Sequence, residues 1–187
     1  MRYFFGFLLA IGLVVITFIL VLRGFRGNSA SPSISAPLTN YTNTDTTVQF
    51  TDDGAVTADQ THQGVRISVG QYATTIQVYQ GYQNDITSSQ TYENNPNSYG
   101  TFLRALELLD YTSGDKNPSS ALADPRGVCP QGQHYSFQII SGDGTNIQNY
   151  WTTSCGSGTY KGNLQEVENL FQTQVPNYSR VAGNVAL

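Results

Sequence analysis

Two cysteines, two histidines and 13 carboxylates are the side chains in this sequence with a claim to chemistry. Cys129 and Cys155 each lie in a turn-rich stretch, 127–132 and 154–158. They bracket a predicted hairpin, which brings its two ends together, as a disulfide needs. A redox pair would show the Cys-x-x-Cys spacing and an adjacent activating base, and neither is present. A mixed zinc site would need both cysteines and both histidines to converge. Their order and spacing match no such motif, so no metal or cofactor is expected. His134 is predicted in a strand beside the cysteine turn, and His62 in the polar stretch 59–63. Either could be a general base or a ligand, but both are predicted on the solvent side. Glu166 and Glu168 would be the carboxylate pair of a glycoside hydrolase. Glu166 is already explained by a helix cap and Glu168 by the wet face of that helix, while Glu93 and Glu107 lack a partner. Asp143-Gly144-Thr145-Asn146 opens like a calcium loop but lacks the spaced ligands downstream, which leaves a hairpin turn. The nucleophile elbow, the HExxH zinc motif and the phosphate-binding loop are all missing. No residue is therefore assigned a catalytic role.

The tyrosines remain. Eleven of the 12 lie beyond residue 22, and Tyr72, Tyr79, Tyr82, Tyr92, Tyr150 and Tyr160 are predicted in loops or off the core face. Tyrosine and tryptophan suit binding surfaces because one end is apolar and the other wet. Tyr79, Tyr82, Tyr150 and Trp151 are the candidate binding residues. The plainer reading makes them sheet residues standing in for large aliphatics.

The elements that must position these groups follow two periods. Val48 and Phe50 share one face of a strand ending at an Asp52-Asp53-Gly54 turn. Val65, Ile67 and Val69 alternate with Arg66 and Ser68. A turn at 70–73 returns the chain along 74–80, with Ile76 and Val78 inward, and 86–92 reads as a further strand. Asn95 then caps a helix with Pro96 at its first position. Tyr99, Phe102, Leu103, Leu106 and Leu109 form its apolar stripe, to about Tyr111. A long loop follows, to about Gly132. Tyr135, Phe137 and Ile139 mark the next strand, the 141–144 turn a hairpin, and 147–154 its return. Asn163, with Glu166 three residues on, starts a helix lined by Leu164, Val167, Leu170 and Phe171 and stopped by Pro176. The prediction is an α+β domain over 46–187: an antiparallel sheet of five to six strands, two helices on one face and one disulfide.

Before this domain lies a run of 20 uncharged residues, Tyr3 to Leu22, bounded by Arg2 and by Arg23 and Arg26. As a helix it would span about 30 Å, the hydrocarbon thickness of a bilayer. It is longer than a signal-peptide core and has no good cleavage site after it. A pilin-like start lacks the glutamate that type IV pilins carry near that position. The expectation is an uncleaved single-pass anchor over 1–23, with a flexible Pro/Ser/Asn/Thr linker over 24–45. Arginine counts alone leave the orientation open. Three of the nine basic residues flank the run, so 27–187 carries six against all 13 acidic residues, a net of −7. That charge argues against a nucleic-acid partner. With the paired cysteines, it places the domain outside the cytoplasm. Asn40-Tyr41-Thr42 and Asn177-Tyr178-Ser179 match the glycosylation sequon.

An N-terminal anchor, a Ser/Asn/Pro tether and the segments Val56-Thr57-Ala58-Asp59-Gln60-Thr61-His62, Cys129-Pro130-Gln131-Gly132-Gln133 and Ser154-Cys155-Gly156 together resemble small membrane-anchored exported proteins of Saccharibacteria and related candidate-phylum bacteria. The resemblance implies a location and a lineage and carries over no active residues. The expected role is binding or structural, in the cell envelope, toward a glycan, a peptide or a surface protein. The alternatives are an envelope enzyme with an unrecognised site and an inhibitor that presents the loop 112–132 beside its disulfide.

Overall fold

A computed structural model describes residues 37–122, 125, 127–183 and 185. The apolar run 3–22 and the first part of the linker lie outside them. No helix among the described residues is long and apolar enough to cross a membrane.

Six strands form one antiparallel sheet in the order β4-β3-β2-β1-β5-β6. They are β1 (Thr47–Asp53), β2 (Gln63–Val69), β3 (Ala73–Gln80), β4 (Asp85–Glu93), β5 (His134–Ile140) and β6 (Asn146–Thr153). Helix α1 (Pro96–Leu108) follows β4, and α2 (Leu164–Thr173) and the short α3 (Tyr178–Ala182) follow β6. The alternation of apolar and polar residues sets the two faces of the sheet. Val48 and Phe50 on β1, Ile67 on β2, Ile76 on β3 and Phe137 and Ile139 on β5 are all buried on one side. The helices cover that side with Tyr99, Phe102, Leu103, Leu106, Val167 and Phe171.

Aromatic rings hold this layer together. Phe171 lies 5.5 Å from Phe50 and 5.1 Å edge-on from Phe102, and Tyr160 stacks on Phe137 at 3.7 Å. Fully burying one such ring stabilises the fold by roughly 1.5–3 kcal/mol. The phenols find partners: Tyr99 donates to the Thr46 carbonyl at 2.7 Å and Tyr111 to that of Gln49 at 2.8 Å. Burial raises both above the usual tyrosine range, so they remain donors.

Both predicted helix starts form as read. The Asn95 side chain accepts from the Ser98 amide at 3.0 Å and Asn163 from that of Glu166 at 3.3 Å. Four features depart from the reading. Strand β1 runs on through Asp52 and Asp53, where a turn was expected. Helix α1 ends at Leu108, and Asp110 takes a left-handed φ of 56°. Asn177, also left-handed, reverses the chain after Pro176 into the unforeseen α3. The folded unit also begins before Thr46. Leu38–Tyr41 forms a 3-10 turn with Leu38 in the core, and Thr42 packs so closely on Gly100 that a Cβ there would stand 2.9 Å from its methyl.

Candidate functional site

The helix-free face of the sheet is largely polar. Gln49 sits at its centre, bonding the Gln138 amide on one side and the Ser68 hydroxyl, at 3.1 Å, on the other. Each end of this face carries a candidate site, and another lies beneath the sheet.

At the first end, a loop over 54–62 folds back on the sheet. Gly64 on β2 stands opposite Tyr79 on β3. A Cβ on Gly64 would fall 2.3 Å from the phenol carbons of Tyr79, so only glycine lets that ring cross the strand. The Tyr79 hydroxyl then donates to Asp53 Oδ1 at 2.9 Å. The same oxygen lies 2.8 Å from Nε2 of His62, whose Nδ1 is 3.2 Å from the Ala55 carbonyl. Both ring nitrogens face oxygens, and both bonds are made when each nitrogen carries a proton. Tyr82 stacks on the imidazole at 4.2 Å. Its hydroxyl donates to the Thr57 carbonyl at 2.8 Å, and its amide donates to Asp59 Oδ1 at 2.9 Å. His62 is thus buried, against the expectation of a solvent-facing loop residue. Tyr82 roofs it and Asp53, brought alongside by the lengthened β1, binds it. Burial raises Tyr79 well above the usual range, and the neighbouring Asp53 carboxylate adds to this. Among the described residues, neither histidine contacts a hydroxyl or thiol nucleophile. The cluster locks a loop in place. His134, half-buried, places Nε2 2.6 Å from the Val128 carbonyl and steadies the cysteine turn. The predicted disulfide is formed, with the Cα atoms of Cys129 and Cys155 5.9 Å apart.

Of the candidate binding residues, Tyr79 and Tyr82 meet around His62 and the other two lie elsewhere. Tyr150 faces the core, its ring against Gly114. Trp151 is on the open face at the far edge. A tight turn covers it, with the amides of Thr159 and Tyr160 donating to its carbonyl at 2.8 and 2.9 Å. Four strand spacings, about 19 Å, separate β3 from β6.

The second site lies under the sheet. Asp52 follows Val48 and Phe50 onto the core face, where it is only 4% exposed, and its Oδ1 is buried with no hydrogen-bond partner. Desolvation lifts its pKa to about 7, with the carboxylates of Glu168 on α2 and Asp53 adding to the rise. Burial also raises Glu168, whose Oε1 accepts from Gln172 at 3.0 Å. Perturbed carboxyl groups of this kind are used as acid–base pairs when a substrate can reach them. Here the strand and the helices enclose Asp52, while Glu168 is half-buried. The sequence signal was the i, i+2, i+4 parity of Val48, Phe50 and Asp52.

The third site is a shallow depression of about 300 Å³ at the other end of the open face. Asp45, Thr47, Ser68 and Thr75 line it, with Tyr72 at its lip. Tyr72 occupies the two-residue turn between β2 and β3, closed by the Gly70 amide donating to the Ala73 carbonyl at 2.8 Å. It is 66% exposed, against 49% for Tyr82. Among the described residues no three His, Cys, Asp or Glu side chains form a group that could hold a metal ion. Compared with protein-family models and with curated proteins, the chain matches none of either.

Proposed function

We propose that the chain is a single-pass, membrane-anchored extracytoplasmic domain that binds a glycan of the cell envelope in the depression beside Tyr72. One observation carries this reading: an exposed phenol ring at the rim of a shallow basin lined with hydroxyls and a carboxylate. Saccharides present C–H faces that stack on such rings and hydroxyls that pair with Asp, Ser and Thr. The basin is open, so it suits one or two sugar units of a longer chain. The perturbed carboxyl pair lies away from it, beneath the sheet, which favours binding over hydrolysis. The uncharged run 3–22 supports the anchor, and the excess of acidic residues after it supports export.

Titration of the full chain in detergent micelles with soluble peptidoglycan fragments and chito-oligosaccharides should give saturable binding. Tyr72→Ala should weaken it about tenfold or more, since losing one stacking ring costs roughly 1–3 kcal/mol at a binding hot spot. The melting temperature should stay unchanged, because an exposed turn residue adds little to the core. Equal affinity in both proteins would refute the site. The location has its own check. Protease added to intact cells should digest the region from about residue 40 onward, and a shielded domain would contradict export.

A further inference from the structure

The sheet has two edges, and the protein treats them differently. The C-terminal end of the β6 edge is sealed: a bridge pairs Thr152 with Gly158, and Thr159 and Tyr160 bond the Trp151 carbonyl. Strand β4 forms the opposite edge. Among the described residues its only strand partner is β3, and most of its length is exposed on both faces, including Ile86 at 53%. In an antiparallel ladder, alternate residues of an edge strand turn their N–H and C=O groups outward. Among the described residues none of 86–92 makes a main-chain hydrogen bond outside the β3 ladder. Natural edges of this length are normally blunted by lysine, proline or a covering segment. The stretch DITSSQTYE contains neither residue; its register shifts once, opposite Val78 and Tyr79, and the Tyr92 hydroxyl reaches the Pro176 carbonyl at 3.4 Å, but seven of its nine residues are exposed.

We propose that β4 is a docking edge at which an extended peptide with basic residues at its ends adds as a seventh strand. Main-chain bonds would supply the affinity, as in other strand-addition complexes. Charge selects the occupant. Asp85 and Glu93, both exposed, stand at the two ends of β4 with seven uncharged residues between them. A strand lying antiparallel and centred on Ser89 meets a carboxylate at each end, so lysine or arginine at those positions completes the pairing. A second copy of this chain in that register would instead set Asp85 against Glu93 twice, a like-charge contact repeated by the two-fold axis. The excess of acidic residues after the apolar run, 13 against six, also attracts a cationic partner and repels a copy of the chain. This site adjoins the Tyr72 depression, Glu93 standing opposite Ala73 and Thr91 opposite Thr75, but the proposal stands or falls without it.

The test uses the full chain in micelles and a synthetic peptide of β4's length, lysine at each end and alternating threonine and valine between. Binding should be saturable, with slowed amide hydrogen exchange confined to 85–93. The same peptide with glutamate ends should not bind. Charge reversal at both ends of the strand, Asp85→Lys with Glu93→Lys, should weaken the lysine peptide by about tenfold or more, with an unchanged melting temperature. Three results would overturn the proposal: no binding, protection at a site other than β4, or affinity indifferent to the charge of the peptide ends. Protection of β4 by self-association without peptide would also overturn it, by naming a second copy as the occupant.

Discussion

Asp52→Asn should flatten the dependence of stability on pH and make the protein more stable in alkaline solution. The carboxyl titrates near its ordinary value of 3.8 in the unfolded chain and at about 7 in the folded one. The folded state therefore holds the proton more tightly, and its advantage is complete below about pH 4. Between pH 4 and 7 the unfolded state loses its proton while the folded state keeps it, so stability falls as pH rises. Above about 7 the loss is complete. A shift of this size corresponds to about 4 kcal/mol at most, and relaxation around an ionised Asp52 would reduce it to roughly 2–4. The cause lies in the fold. An oxygen with no donor sits under α2, facing Glu168, with Asp53 beside it on the same strand. From other elements, Tyr135 on β5 and Tyr178 on α3 are pushed up to about 12 by burial and by the charges of Asp52 and Glu168. Urea denaturation at pH 5, 7 and 9 measures the effect. The variant should exceed the wild type by about 1–2 kcal/mol at pH 5 and by roughly 2–4 kcal/mol at pH 9. Glu168→Gln removes only the neighbouring charge, so it should keep a weakened form of the slope. Parallel profiles for wild type and Asp52→Asn would show that Asp52 does not titrate in this range.

That carboxyl also marks where the sequence could be read and where it could not. β2, β3 and β5 alternate cleanly, and their inward residues are the ones that pack. Phe50 and Val48 set the parity of β1, and Asp52 continues it. The Asp-Asp-Gly composition nonetheless argues for a turn, because an unpaired buried carboxylate is costly. Composition and parity conflicted, and packing decided for parity. The tether ended early for a similar reason. Leu38 is a lone apolar residue among Pro, Thr and Asn, with no period to show that α1 waits to receive it. Five residues of α3 are too few to display a helical stripe. The locking cluster around His62 joins three loops and strands, and nothing local to Asp59–Gln63 signals that Tyr82 will stack on it. Tyr72 was visible as a turn tyrosine. The basin beside it was not, since Asp45, Ser68 and Thr75 meet only through strand pairing. The lone pair of cysteines was legible because a hairpin is a local object.

Replacing both cysteines with serine should cost about 3.5 kcal/mol, since the bond closes a loop of 26 residues whose unfolded freedom it restricts. For a domain of this size that lowers the melting temperature by roughly 10 °C. The loss should also spread in one direction. The bond pins a turn in which Cys129 holds a left-handed φ of 56°, a conformation that a non-glycine residue keeps only under constraint. Gly132 is packed so tightly that a Cβ would stand 2.4 Å from the Cys129 sulfur. From this turn, Pro130 accepts from the Val56 amide at 2.9 Å and Val128 bonds His134. Val56 belongs to the loop that encloses His62. Cutting the disulfide should therefore speed exchange at the Val56 amide and loosen the loop 54–62, while Leu103 and Leu106 in α1 keep their protection up to the lowered global stability. Hydrogen exchange on the oxidised protein and the double serine variant distinguishes the two regions. If both proteins melt together and exchange alike at Val56, the bond braces nothing, and the His62 loop is held by Asp53 and Tyr82 alone.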